Sequence, residues 1–167
     1  MTTKPELLIA SLIFCATFSG CQTGGSTAAR PDNESARAST AVPPGMNSNG
    51  EVIDASKVQS GSGKSVKGIN DFEGEITGVP ASNSRFAQLQ IGMSIRQAVD
   101  ICGPPNDQGA YITGKAFIPF YFGSDRSRFE LIYRGQGRLI FAGGSIGNYT
   151  GGNLIWIINS ASESGYR

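Results

Sequence analysis

One stretch, residues 22–83, most limits what this 167-residue chain can fold into. It is rich in glycine, serine, threonine, alanine, asparagine and proline, and it shows neither the two-residue period of strands nor the 3.6-residue period of helices. A segment of this kind buries too little apolar surface to offset the entropy lost when a chain is ordered. We therefore predict a disordered linker here, apart from a marginal strand at residues 72–76, and a core confined to residues 84–167.

The amino terminus predicts an export signal. Residues 7–16 form an apolar run of signal-peptide length, well short of the ~20 residues that cross a bilayer as a helix. The following Phe18-Ser19-Gly20-Cys21 resembles the lipobox of bacterial lipoproteins, in which small residues permit cleavage and the cysteine thiol accepts lipid. Residues 1–20 are therefore expected to be a signal peptide, and residues 21–83 a lipidated Cys21 followed by the linker.

Composition argues against most catalytic classes. The chain has no histidine, which removes the commonest general base and metal ligand at neutral pH, and its carboxylates lack the paired spacing of acid–base catalysis. We predict no catalytic residue, no metal site and no cofactor. A net charge of +1 gives no reason to expect a nucleic-acid partner. The run Gly61-Ser62-Gly63-Lys64-Ser65 lacks the first glycine of a P-loop and is interpreted as part of the linker.

A capped helix is predicted from Ile95 to Cys102. Ser94 and Gln97 form a capping-box pattern, and apolar residues then recur at spacings of three and four. Gly103, followed by two prolines that end at Pro105, predicts a helix stop in which the glycine adopts a left-handed conformation. Cys102 ends the apolar stripe, so we interpret it as a core residue rather than a nucleophile.

Three or four strand signals follow the helix, one of them the return of a hairpin through Leu139 and Phe141. Residues 117–122 are aromatic and apolar, and Pro119 cannot donate to a ladder, so this strand should lie at an edge or carry a bulge. Residues 128–134 alternate in polarity like a half-buried antiparallel strand, and Arg134-Gly135-Gln136-Gly137 predicts a hairpin turn. Residues 154–158 predict the last strand. This order predicts an α+β fold, with two short helices packed on a three- or four-stranded antiparallel sheet.

Gly92-Met93-Ser94, followed by Gly103 and then Pro105, resembles the motif of the SmpA/OmlA, or BamE-like, family of outer-membrane lipoproteins. The resemblance covers residues 86–142 and makes residues 84–167 a BamE-like domain. It implies two short helices on a three-stranded antiparallel sheet, a fold that β-lactamase inhibitor proteins also use. It further implies a role in binding and supporting the machinery that folds β-barrels into the outer membrane.

These features favour a non-catalytic lipoprotein of the outer membrane. Lipid on Cys21 would tie the domain to the membrane, and Gln22, by analogy with other lipoproteins, favours the outer membrane over the inner one. The domain would face the periplasm and bind an envelope protein partner. The alternative is an inhibitor-like protein that binds an enzyme through its sheet and the glycine-rich loop at residues 143–152. An envelope hydrolase is a third reading, which the scattered carboxylates do not favour.

A basic stripe is a second candidate feature. Arg126, Arg128 and Arg134 share one strand parity, and Phe129, Leu131 and Tyr133 share the other. Arg138 should lie close to the arginines across the hairpin. If the apolar residues face the helices, the arginines line the exposed face of the sheet. Guanidinium groups pair with carboxylate and phosphate alike, so the stripe is a candidate docking surface for an acidic protein or anionic phospholipid. The alternative is an ordinary solvated face.

Overall fold

The computed structural model of the protein describes residues 42–144 and 151–167. Cys21 and most of the loop at residues 143–152 therefore lie outside the described ranges. Inside those ranges, no helix has the length and apolar character needed to span a membrane. The α-helix there is α1 (Ile95–Cys102), and the strands are β1 (Lys64–Lys67), β2 (Glu73–Thr77), β3 (Asp107–Ile112), β4 (Ser127–Tyr133), β5 (Gly137–Ala142) and β6 (Asn153–Asn159).

The six strands form one mixed sheet in the order β1-β2-β6-β5-β4-β3. Strands β2 and β6 are parallel, whereas the other neighbouring pairs are antiparallel. The parallel pair joins the first hairpin of the described chain to its last strand, so the interior of the sheet depends on residues far apart in sequence. Strand β6 carries an irregularity in its pairing with β5 between Ile140 and Phe141.

Helix α1 begins and ends where its capping residues predict. The Gln97 N–H donates to the Ser94 hydroxyl, and the Ser94 N–H donates to Gln97 Oε1 at 2.9 Å, which completes the capping box. Gly103 ends the helix with φ at +83° and ψ at −174°, a region that is essentially confined to glycine. Burial raises the pKa of the Cys102 thiol to about 11.

The first face of the sheet, defined by Phe129, Leu131 and Tyr133, is covered by α1 and by a 3₁₀ helix, Arg85–Gln88. Phe86 of the 3₁₀ helix meets the Tyr133 ring edge-on, with centroids 5.5 Å apart. The Tyr133 hydroxyl also donates to the carbonyl of Gly103 at 3.0 Å. This contact ties the carboxyl end of α1 to β4.

The second face of the sheet is covered by residues 46–58, which contain an isolated bridge between Met46 and Val52 and no strand longer than that. Val52 and Ala55 are buried in a cluster with Ile140, Trp156 and Ile158. This cover belongs to the segment predicted to be a linker, so residues 46–58 are folded against the sheet.

The predicted fold of two short helices on a three- or four-stranded antiparallel sheet is wrong. The described ranges hold one helix of seven residues or more, and the sheet has six strands with a parallel pair. Two of the strands lie within residues 21–83: β2 confirms the marginal strand predicted at residues 72–76, whereas β1 lies in the part predicted to be a disordered linker. Strand β2 lies next to β6 and has Thr77 fully buried. The backbone groups of β1 pair with β2 across a hairpin, and those of β2 also pair with the distant β6, a gain that local periodicity does not report.

The predicted strand at residues 117–122 is also wrong. A 3₁₀ helix, Gly114–Phe117, leads into a turn in which the Tyr121 N–H donates to the Ile118 carbonyl at 3.2 Å. Pro119 has no N–H for a ladder, and Phe120 has φ at +61°, which is incompatible with a strand. The sheet strand before β4 is instead β3, which the sequence pattern did not predict.

Candidate functional site

The predicted arginine stripe lies on the second face of the sheet. Arg128 pairs with Ala142 and Ile132 with Arg138, whereas Phe129, on the opposite parity, belongs to the core under α1. Strand parity therefore places Arg128 and Arg138 on the face opposite to α1, as predicted, whereas Arg126 and Arg134 lie just outside β4. Their surroundings, however, differ from one arginine to the next.

Arg138 is 7% exposed and so does not contribute to an exposed stripe. Its Nε donates to Glu163 Oε2 at 2.6 Å, and its Nη1 donates to Glu130 Oε1 at 3.1 Å. Burial lowers the pKa of this guanidinium, but the adjacent carboxylates of Glu163 and Glu130 outweigh burial and hold the pKa above its ordinary value. Arg138 thus belongs to a buried ion cluster within the second face.

Arg128 is half-buried and bound to Asp125 at the beginning of β4. Its Nε and Nη2 donate to the two carboxylate oxygens at 2.8 and 3.1 Å, and Lys115 Nζ lies 2.8 Å from Asp125 Oδ2. Burial raises the pKa of Asp125, but hydrogen bonds from Arg128 and Lys115 reverse that shift and leave the pKa below its ordinary value. One carboxylate therefore serves two cations.

Arg134 and Arg126 are the exposed arginines of the four. Arg134 Nε donates to the Ser164 carbonyl at 3.0 Å, and its guanidinium lies 5.4 Å from the centre of the Tyr166 ring. The side chain of Arg126 makes no hydrogen bond or ion pair with any residue of the described ranges. The predicted stripe is thus interrupted by the buried cluster around Arg138.

An open groove of about 940 Å³ lies on the second face, where β2 meets β6. It is bounded by the β1–β2 hairpin on one side and by the segments that flank β4 and β5 on the other. No three His, Cys, Asp or Glu side chains of the described residues are grouped to hold a metal. The groove's lining combines apolar residues with charges of both signs, namely Phe72, Ile155 and Trp156 with Lys67, Glu73 and Arg128.

Glu75 fixes the wall of the groove next to β1. Its carboxylate accepts hydrogen bonds from the N–H groups of Gly61 and Gly63 at 2.7 and 2.6 Å. Thr77 Oγ1 donates to the same carboxylate at 3.1 Å and accepts from Trp156 Nε1 at 2.9 Å. The amides of Gly61 and Gly63 are thus occupied by a protein carboxylate. Residues 61–63 form a turn that leads into β1 and are not part of a disordered linker.

A second exposed feature is the loop at residues 113–126, which joins β3 to β4. Its Phe120, Phe122 and Phe117 are 88%, 87% and 79% exposed, the highest values among the large apolar residues that the structure describes. Sequence reasoning missed this feature because it assigned these aromatic residues to a strand. The signals that mark a loop are Pro119 and the Gly-Ser-Asp run that begins at Gly123.

The predicted motif residues organise the backbone around α1. Gly92 has φ at +90°, and a Cβ there would lie 2.6 Å from the Ile69 carbonyl oxygen. The Gly92 N–H donates to the Leu154 carbonyl, and the Leu154 N–H donates to the Met93 carbonyl, both at 2.7 Å. The motif therefore joins the entry of α1 to the beginning of β6, with its other positions at the helix caps and the turn after them, namely Ser94, Gly103 and Pro105.

The resemblance of this motif to the SmpA/OmlA family stays a prediction. Each motif residue meets a local need of the backbone, a tight turn, an N-cap or a helix stop, and such needs arise in many unrelated proteins. The motif alone therefore does not establish descent. Comparison with known proteins found no family model, no curated protein and no solved structure that matches the chain.

Proposed function

We propose that this protein is a non-catalytic lipoprotein, anchored through Cys21 to the outer membrane and facing the periplasm, that binds an envelope protein in the groove on the second face. The groove carries the proposal. Its volume of about 940 Å³ is near the top of the range of small-molecule pockets, ~300–1,000 Å³, and so can hold several side chains. Its lining of apolar side chains and both signs of charge suits a segment of a protein partner.

The groove offers a partner a rigid base with charged edges. Trp156 and Ile155 form the apolar base on β6, and the Trp156 ring is fixed by its hydrogen bond to Thr77. Arg128 is held in place by Asp125, and the exposed Lys67 and Glu73 add one charge of each sign at the edge of the groove. The resemblance to the SmpA/OmlA motif supports the machinery of β-barrel assembly as a candidate partner.

Photo-crosslinking in intact envelopes tests the groove. A photoreactive amino acid at Lys67 or Glu73, both exposed at the groove, should give an adduct of one discrete mass. The matched control positions are Arg96 and Asp100, which are exposed on α1 at the other face of the sheet. Adducts that form equally from both pairs of positions, or from the α1 positions alone, would show that the groove is not the binding site.

The anchor is tested separately. Cys21→Ala should abolish metabolic labelling with a fatty acid and leave an uncleaved or mislocalised precursor, because residue 21 supplies the lipid-accepting thiol at the end of the leader. Cys15→Ala, which removes the neighbouring cysteine of the leader, is the matched control and should be labelled like the wild type. Persistent labelling of Cys21→Ala would refute the anchor and leave the groove proposal standing.

A further inference from the structure

The loop at residues 113–126 is ordered, yet it leaves its largest apolar side chains in solvent. Its base is closed by the Thr113 N–H, which donates to the Arg126 carbonyl at 3.0 Å, and by the Lys115–Asp125 ion pair at 2.8 Å. Side chains of this size are usually buried, and Tyr121 of the same loop is half-buried, with its ring beside Gly123. The phenylalanines are therefore exposed in a loop with a defined conformation.

The conformation that exposes Phe120 is strained. Its φ of +61° lies in the left-handed region, which is strained for a residue with a bulky side chain. Asparagine or glycine adopts this conformation more readily, and neither would expose a ring. Strain and exposed apolar surface together mark a segment that is built for contact with something outside the domain.

The charges around the loop narrow the class of partner. Residues 113–128 contain three cations, Lys115, Arg126 and Arg128, and one anion, Asp125, which gives a net charge of +2. Arg126, at the end of the same loop, is exposed and makes no ion pair in the described ranges. Aromatic rings beside basic side chains suit the interface of a bilayer, where rings enter the acyl boundary and cations meet anionic headgroups.

The chain outside the structure has enough length for this contact. The segment that covers the second face lies near the carboxyl end of β6, where Ser160 Oγ donates to the Val52 carbonyl. The loop at residues 113–126 lies at the opposite end of the strands. A seven-residue strand such as β6 spans about 23 Å. The 21 steps from Cys21 to Val42 extend at most to about 75 Å, so a lipid on Cys21 does not prevent the loop from entering the same bilayer.

We infer that the loop at residues 113–126 docks the domain on a phospholipid surface by inserting Phe117, Phe120 and Phe122 into the interface. This contact goes beyond the proposed function, because it requires neither the groove nor the lipid on Cys21. It sets the orientation of the domain on the membrane: with the phenylalanines inserted, β4 points its amino end at the bilayer. The groove, which includes Ser124 and Asp125 in its lining, then opens close to the membrane surface.

Depth-dependent quenching tests this orientation in the full chain. Phe120→Trp and the control Val79→Trp, both at exposed positions, are each bound to vesicles of phosphatidylethanolamine and phosphatidylglycerol with brominated acyl chains. The native tryptophan, Trp156, is buried and contributes equally to both samples. We expect Phe120→Trp to show a blue-shifted emission and at least about twofold stronger quenching than the control, because an inserted indole lies near the bromine atoms.

A second variant separates insertion from misfolding. Phe122→Trp should be quenched like Phe120→Trp, and the same probe combined with Phe117→Ser and Phe120→Asn should fall to the level of the Val79→Trp control. The polar replacements are at exposed positions and asparagine tolerates the φ of residue 120, so the circular dichroism spectrum should not change. Equal quenching of Phe120→Trp and Val79→Trp would overturn the inference, and the result does not depend on whether Cys21 carries lipid, because both variants have the same anchor.

Discussion

The two faces of the sheet are covered by different kinds of chain. On the first face the cover is a capped helix with Ala98 and Cys102 buried at helical spacing. On the second face it is residues 46–58, in which Val52 and Ala55 are buried without any periodic pattern. A segment without a periodic apolar pattern can therefore still cover a sheet. A few apolar side chains suffice when the backbone groups between them are hydrogen-bonded, as the Val52 carbonyl is by Ser160 Oγ at 3.1 Å.

The faces also differ in what they bury beside apolar groups. The first face packs aliphatic and aromatic side chains on α1. The second face encloses the cluster of Arg138, Glu163 and Glu130. A buried ion cluster adds little net stability over well-packed apolar groups, but it is costly to leave incomplete. We therefore expect the two faces to respond differently to single substitutions.

The largest effect is expected when the ion cluster loses its cation. Arg138→Met should destabilise the domain by about 3–5 kcal/mol, because it leaves two carboxylates without their shared partner in a buried place. Denaturation in urea measures this loss. The control Arg126→Met, at an exposed position, should change the free energy of unfolding by less than about 0.5 kcal/mol. A small effect of Arg138→Met would mean that water reaches the cluster and that the second face is not closed.

Removal of apolar cover from the second face should have the next largest effect. Val52→Ala, at a residue 5% exposed, should cost about 1–2 kcal/mol through lost burial and the cavity left behind. Val42→Ala, at a residue 47% exposed, is the matched control and should be nearly neutral. Thermal denaturation of both variants decides the point. If Val52→Ala also proves neutral, the region is a linker after all and the two faces are not equivalent in burial.

The helix and its surroundings were predictable, because the information lies close together in sequence. Ser94 and Gln97 cap each other three residues apart, and α1 has the predicted bounds. The antiparallel pair β4 and β5 was recognisable for the same reason, since a short turn joins strands with clear alternation. In both cases the partners of each residue are its near neighbours in the chain.

The second face was not predictable, because its partners are far apart in sequence. Strand β2 was predicted only as a marginal strand at residues 72–76, because what stabilises it is pairing with β6, about eighty residues away. The burial of Arg138 was not predictable for the same reason. Strand parity placed Arg138 on the expected face, but its partner Glu163 comes from a segment 25 residues away in sequence. At the loop at residues 113–126 the error was the reverse, because a strand was predicted where there is none. The residues favour a strand, but Pro119 and the turn after it keep them out of the sheet.

An effect of similar size is expected at the helix stop of the first face. Gly103→Ala should destabilise by about 1–2 kcal/mol, since φ at +83° is strained for any residue with a Cβ. Gly114→Ala is the control, because its φ is not positive and a Cβ there meets no atom within 4 Å. Equal midpoints of chemical denaturation for the two variants would show that the helix stop tolerates side chains and that the cover of the first face ends elsewhere.

The smallest expected effect is a pH dependence at the open end of the second face. The pKa of Asp125 is lowered in the folded protein, so its ion pairs stabilise the fold above the ordinary aspartate pKa of about 3.9 and are lost as the pH falls through the lowered value. Asp125→Asn should therefore be less stable than the wild type by about 0.5–1 kcal/mol at neutral pH, a size set by the partial exposure of Lys115, and this difference should vanish in acid. Asp100→Asn, exposed on α1, reports the general effect of losing one carboxylate. A difference that persists unchanged to low pH would mean that Asp125 acts as a neutral hydrogen-bond acceptor and not as the counter-ion of Arg128.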